Sequence, residues 1–377
     1  MSRLNISRIQ NENEDGSAAV SGISTFSSTA FLQISKGSTA QRPENPQPGM
    51  IRFNTDSGHL EYFTGEFWDE ALVANNTLDG GNRGVFGGGY VPGGGGNQSR
   101  MDYITISTLG NAITFGTLTA RRGFGACGSG TRGVFSGGDG LNDGGNTKVQ
   151  DYITYASTGN AVSFGSLTAG REGSKSLSNS TRGISGGGGN SPAPFTNTIN
   201  YFTIATDGSS QNFGNLSYVC NNTSACASST RGLFGGLTPT VANVVDYVTI
   251  STLGNSISFG SLSSSNFADS AASNSTRGLF GGQYTYPGYV AQTTVDFFTI
   301  ATLGNSQSFG NLDTAYNLGA AVSSSTRYVI GGGSKPTNPT NNISYMTIAT
   351  TGNGFSFGNL TIARFSPAAC SNGHGGL

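Results

Sequence analysis

The sequence predicts an all-β protein: a six-bladed β-propeller (residues 79–377) preceded by an extended arm (residues 1–47) and a small β-meander (residues 48–78). Three observations carry that expectation. A phrase read TRGVFSGG at Thr131 occurs six times, with its arginine at Arg83, Arg132, Arg182, Arg231, Arg277 and Arg327, so the repeat is 46 to 50 residues long. That length suits one four-stranded propeller blade and exceeds one coil of a β-solenoid. Each repeat divides into four short β-like runs, and no helical stripe survives among the Gly, Ser and Thr. The first copy lacks its opening run while the last has one to spare.

The arm is polar and small in composition and passes into the proline-stiffened stretch RPENPQPG. It has too few apolar residues to bury a core of its own. It therefore reads as a docking segment ordered on a partner, with packing against the propeller as the alternative. Its first residues lack the apolar core of a signal peptide, and no stretch approaches the ~20 apolar residues of a membrane span, so a soluble product made in a cytoplasm is expected. MIRFNTDSGHLEYFTGEFWDEAL follows, readable as strands Met50–Asn54, His59–Thr64 and Glu66–Ala71 with turns at TDSG and TG.

Within the repeat, taking residues 121–167 as the example, the runs are RGFGACG (a), TRGVFSGG (b), QDYITYA (c) and AVSFGSL (d). Run c carries an aromatic in every copy: Tyr103, Tyr152, Tyr201, Tyr247, Phe297 and Tyr345. Run d carries Phe-Gly with a leucine three places after the Phe, at Phe115, Phe164, Phe213, Phe259, Phe309 and Phe357. Alternating β-branched and aromatic residues suit strands with buried faces. Gly-Asn between c and d, as at Gly110–Asn111 and Gly254–Asn255, is a tight-turn signal. The surplus a run lies at Arg364–Gly373, and the sequence predicts that it completes the first blade, hiding sheet edges that a linear array would expose. Cys127, Cys226 and Cys370 share one repeat position with Leu177, Ala272 and Val322, which marks a small apolar core slot and not a disulfide framework.

The order of a small-residue strand, an apolar strand ending in Gly-Gly, a variable loop, an aromatic strand, a turn, then an aromatic with Leu and Arg resembles the kelch repeat. The Gly pairs stand at Gly87–Gly88, Gly235–Gly236, Gly281–Gly282 and Gly331–Gly332, and the run-d phenylalanines take the kelch tryptophan position. The arginine that follows is present at Arg122, Arg171 and Arg364 and replaced by Cys220, Asn266 and Tyr316. Residues Gly37 to Glu70, GSTAQRPENPQPGMIRFNTDSGHLEYFTGEFWDE, resemble a segment of bacteriophage tail-fibre and other virion proteins. The repeat wording TRGLFGG, DYVTISTLGN and FGSL resembles propeller proteins of marine cyanophages. The resemblance implies a virion protein assembled in the host cytoplasm, of tail-fibre or appendage type; fibres are commonly trimers, yet a closed propeller can also sit singly, so the oligomeric state is open. Its arm would dock on other virion proteins and its propeller would be displayed to a host-surface glycan or receptor. The alternatives are a capsid-decorating or collar cement protein and a polysaccharide-cleaving tailspike.

Charged residues make up 10% of the chain and the net charge is −1, so no basic field exists for nucleic acid or an anionic membrane. The two histidines, His59 and His374, lie in different regions and suggest neither a metal cluster nor a Ser–His pair. A glycosidase needs two carboxylates, and the repeats hold one glutamate, Glu172, with Asp139 and Asp143 as its nearest candidate partners. No catalytic residue, metal or cofactor is expected. The six arginines either clamp an anionic ligand or satisfy carbonyls and acids between blades; their presence in every copy favours the structural duty. The a–b and c–d turns share a short, repetitive face. The b–c and d–a loops share the other, where GYVPGGGGNQSR (89–100), GGNSPAPFTNT (188–198) and QYTYPGYVAQTT (283–294) differ from blade to blade. Such loops carry recognition or are free to drift; the candidate binding residues are Tyr90, Phe195, Tyr284, Tyr286 and Tyr289.

Overall fold

Gly, Ser and Thr interleaved with β-branched and aromatic residues leave the chain nothing but strands to form, and the computed structural model is all-β. It describes residues 34–71, 82–140, 145–190, 193–221, 223–237, 241–263, 267–284, 290–335 and 338–377. The only helical turn among them is a 3-10 turn at Thr39–Gln41. The chain divides into two units, residues 1–75 and 76–377.

In the first unit, β1 (Lys36–Gly37), β2 (Ile51–Asn54), β3 (His59–Phe63) and β4 (Trp68–Ala71) form one sheet in that order. The last three are the expected meander. β1 comes from the segment read as arm and pairs in parallel with Phe53 and Asn54, so the arm joins the sheet before residue 47; residues 1–33 lie outside the described residues. The reason is a polar interior. Arg52, Asn54 and Glu61 are buried while Ile51, Phe53, Leu60 and Tyr62 face outward. Arg42, next to the 3-10 turn, closes on the Glu61 carboxylate at 2.6 Å, and Asn54 Nδ2 donates to it at 3.1 Å. These contacts hold the Glu61 carboxyl below the usual carboxylate range.

The second unit consists mainly of small antiparallel sheets, one per repeat, four-stranded in five repeats and five-stranded in the third. In the second, Gly125–Gly128 (a), Arg132–Ser136 (b), Val149–Thr154 (c) and Val162–Ser166 (d) lie side by side. In the first, strand a is Ala368–Ser371, which pairs with Arg83–Gly87 in the register Cys370↔Val85. The surplus C-terminal run does complete the first sheet.

Each c–d pairing slips by one residue at the same place, between Gln150 and Asp151 or its counterparts. The unpaired residue of the bulge is the run-d phenylalanine. All six of these phenylalanines are buried, packed against the run-c aromatic at ring separations of 5.7–6.1 Å. The glycine after each is required by the next repeat. A Cβ on Gly116 would lie 2.0 Å from the Gly159 carbonyl oxygen, on Gly214 2.1 Å from that of Gly254, and on Gly358 2.2 Å from that of Gly110. The same junctions are bonded through backbone: Gly159 N–H donates to Phe115 O, and Gly110 N–H to Phe357 O. The Asn of the Gly-Asn turn, read from sequence as a turn former, is also a clamp. Asn160 Oδ1 accepts Thr117 N–H at 3.1 Å and Asn111 Oδ1 accepts Asn359 N–H at 3.0 Å.

Hydrophobic clusters span neighbouring sheets in every case. One joins Phe213 and Leu216 of the third to Phe234 and Ile250 of the fourth. Another joins Val329 and Phe357 of the sixth to Phe86 and Ile106 of the first. The a strands of all six sheets line one narrow cavity of about 50 Å³, into which the shared slot of Cys127, Leu177, Cys226, Ala272, Val322 and Cys370 faces. The four cysteines are buried and free.

Candidate functional site

The recurring arginines are engaged between repeats. Each guanidinium lies over the run-c aromatic of its own sheet, from Arg132 over Tyr152 at 4.4 Å to Arg231 over Tyr247 and Arg277 over Phe297 at 5.1 Å. Each also donates to a carbonyl just past run c of the next repeat. Arg83 reaches Tyr155 O at 2.6 Å, Arg132 reaches Ile204 O, Arg182 Ile250 O, Arg231 Ile300 O, Arg277 Ile348 O, and Arg327 returns to Ile106 O at 2.8 Å. Nη1 of each is used inside the scaffold and the guanidinium is stacked on a ring, which ties the side chain into the junction between repeats.

A second set of junction contacts escaped the sequence reading. The buried polar residue of run c meets a hydroxyl of the preceding repeat: Asp296 with Ser263 Oγ at 2.8 Å, Asn200 with Thr168 Oγ1 at 2.9 Å, Asp102 with Thr361 Oγ1 at 2.7 Å. In the sixth sheet the roles are exchanged, and Ser344 Oγ donates to the Asp313 carboxylate. The signal was present in the sequence as a Ser/Asp exchange at two positions 31 residues apart. Beside these pairs lie buried arginines, and one sequence assignment needs correcting. Arg364 and Arg171 fill the slot as expected, Arg364 at 3.0 Å from Asp102. In the first repeat the buried residue is Arg121, 2.9 Å from Asp151, not Arg122. The first d–a connection is one residue shorter between the Phe and this slot, so counting from Phe115 overshoots.

Arg122 instead stands at the rim of a concave site. The d–a connections of five repeats converge around a cavity of about 180 Å³ lined by Arg122, Glu172, Asn221, Leu318, Phe365 and Ser366. Arg122 lies 4.7 Å over the Tyr90 ring and pairs with Asp139 at 2.8 Å. Tyr90 packs on Phe365 at 5.2 Å. Bridges Tyr90↔Phe365, Glu172↔Gly189 and Asn317↔Ser334 tie b–c loops to d–a connections, so these two loop classes do share a face. Burial and the Asp139 carboxylate raise the Glu172 carboxyl above its ordinary range, against the opposing pull of Arg122.

Of the candidate binding aromatics, Tyr90 is half-buried at this rim and Phe195 is exposed, joined at the third sheet by exposed Tyr218 and Val219. Tyr284 is not loop surface: it ends strand b of the fifth sheet and is buried, because that strand runs on to Tyr284 paired with Phe267. Tyr286, Tyr289 and Asp143 lie outside the described residues. Among the described residues no group of three His, Cys, Asp or Glu is placed to hold a metal, and no helix is long and apolar enough to cross a membrane.

Beneath the rim, the starts of the a strands line a smaller cavity of about 50 Å³ containing Phe124, Lys175, Ser176, Asp269 and Pro367 among alanines. At the other narrow cavity, the one lined by the cysteine slot, the segment after the final strand turns inward. His374 Nε2–H donates to Gly128 O at 2.7 Å while Nδ1 accepts Gly376 N–H at 3.1 Å. A Cβ on Gly375 would meet Asn274 O at 2.0 Å, so this stretch needs glycine to enter at all.

No protein-family model matches the chain, and no curated protein matches it.

Proposed function

We propose that the six sheets are the blades of a closed, kelch-like propeller, and that the chain is a bacteriophage virion protein of tail-fibre or appendage type. It docks through its N-terminal segment and displays the propeller for recognition of the host surface. Closure is supported by the three contact types that run from each repeat to the next and from the sixth to the first: arginine to carbonyl, c–d turn glycine to strand d, and apolar cluster. The virion assignment rests on the likeness of Gly37–Glu70 and of the repeat wording to phage proteins.

The observation that carries the recognition reading is the rim cavity. Its Arg122, Glu172, Asn221 and Phe365 are the residues by which the repeats differ, gathered at one concave place beside Tyr90. Divergent side chains on a regular frame are where a ring of repeats binds. Fluorescently labelled full-length protein should bind cyanobacterial host cells saturably, and Glu172→Arg should weaken that binding without lowering Tm. Unsaturable or absent binding would remove the recognition reading.

One observation favours the architectural alternative, a cement or collar role. Leu109, Ile113, Val162, Leu253, Ile257, Leu303 and Phe355 are exposed around the c–d turns, on the short, repetitive face. On that reading, Ile257→Asp with Leu303→Asp abolishes incorporation into particles while cell binding by the free protein is unchanged.

A further inference from the structure

We propose that the rim cavity and the well beneath it form one saccharide site, which takes a single uncharged, hydroxyl-rich sugar residue end-on, held at its tip by Lys175, Ser176 and Asp269. The inference rests on the host-recognition reading and names the chemistry that the site would recognise. The two cavities follow each other along the chain: Gly123 and Ser366 line the rim, and the next residues, Phe124 and Pro367, line the well. Leu318 of the rim donates its backbone N–H to Asp269 of the well at 2.9 Å.

Lys175 and Asp269 break the repeat. The positions equivalent to Lys175 in the other a strands are Gly125, Ser224, Ser270, Ala320 and Ala368; those equivalent to Asp269 are Phe124, Ser174, Thr223, Gly319 and Pro367. A packing role is therefore filled elsewhere by small or apolar residues. The two charges line one cavity without forming an ion pair, and among the described residues no acceptor lies within hydrogen-bonding distance of Lys175 Nζ. Ser176 Oγ in the well and Asn221 Oδ1 at the rim are buried without partners. Buried polar groups left this way call for a ligand or ordered water.

The pattern of donors and acceptors selects the ligand. Lys175 only donates, Asp269 and Asn221 Oδ1 only accept, and Ser176 does either. A hydroxyl both donates and accepts, so adjacent hydroxyls of one sugar satisfy all four. An anion would answer Lys175 but face Asp269 and Glu172; a cation would meet the reverse conflict. A zwitterion would have to shed the hydration of two further charges in a site that already holds two desolvated ones. The rim volume of about 180 Å³ equals about six waters at about 30 Å³ each, and the Phe365–Tyr90 pair offers an apolar face to a ring.

Ligand-detected NMR on the full chain, with a panel of methyl hexosides, glucuronate and glycine, tests this. Saturable binding of at least one neutral hexoside is expected. Lys175→Met and Asp269→Asn should each weaken it roughly tenfold, as loss of a buried hydrogen-bond partner does. Tm of both well variants should equal or exceed that of the parent, since each removes a desolvated charge. Binding of no sugar, binding indifferent to both variants, or preference for glucuronate or glycine overturns the proposal. If host-cell binding persists in any of those cases, the recognition reading stands and only the axial site falls; if cells are not bound either, both fall.

Discussion

At the residue scale, the junction pairs show how a repeat can vary without loss. Five copies put the acid or amide in run c and the hydroxyl or backbone donor after run d; the sixth exchanges them as Ser344 and Asp313. Ser344→Asp alone buries a carboxylate against that of Asp313, which is exposed, and should cost about 2 kcal/mol or more. Adding Asp313→Ser should recover most of the loss, and urea denaturation of the two single variants and the double measures the coupling. Independent costs that simply add would refute the exchange. His374 offers a pH test. Its ring donates at one nitrogen and accepts at the other, which only the neutral form does, and burial holds its pKa below the ordinary 6.5. The unfolded chain therefore takes up the proton more readily, so the stabilisation is complete above pH 6.5 and is lost as pH falls below it. The stability of wild type over His374→Ala should shrink between pH 7.5 and pH 5; Asp269 and Lys175 are common to both proteins and cancel. A difference that is constant with pH would mean the ring is protonated in place without cost.

At the element scale, the strand Ala368–Ser371 decides whether the first sheet exists as a four-stranded unit. It covers the edge of Arg83–Gly87 and contributes Cys370 and Ala368 to the cluster shared with the second sheet. Arg364, just before it, is fully buried and donates to Phe86 O as well as to Asp102. Burial lowers this guanidinium to about 10, so it stays charged at neutral pH. Deleting residues 363–377 leaves Asp102 buried without its cation and an edge strand bare, which should abolish cooperative folding and not trim a tail. A truncated protein melting at the parental temperature would disprove this. The sequence made this strand legible by counting, because four runs per copy with one missing and one surplus admit few other pairings. It did not reveal the strand drawn from the arm in the N-terminal sheet. That pairing is set by a polar interior around Glu61, which a rule of apolar residues inward cannot anticipate.

At the scale of the whole molecule, the proposed ring makes every junction equivalent, including the one between the ends of the repeat series. Gly214→Ala and Gly358→Ala introduce the same clash, with Gly254 O and Gly110 O respectively, and each should cost about 3 kcal/mol or more. Gly130→Ala, with open space around its Cβ position, should cost far less. Equal losses at the two clashing positions, read by chemical denaturation, are expected of a closed ring; a mild Gly358→Ala would indicate an open arc. From the sequence alone came the number of repeats, the strand order, the core phenylalanines and cysteine slot, and the use of the last run, because these depend on local period and on counting. Only the tertiary structure decided that the arginines are spent on the neighbouring repeat, that Arg121 and not Arg122 is buried, that Tyr284 is core, and that Lys175 and Asp269 face one cavity. Those outcomes depend on pairings between residues well apart in the chain, or on a one-residue change in a connection. A periodic pattern records what each repeat does alike and is silent on which of its exceptions meet in one cavity.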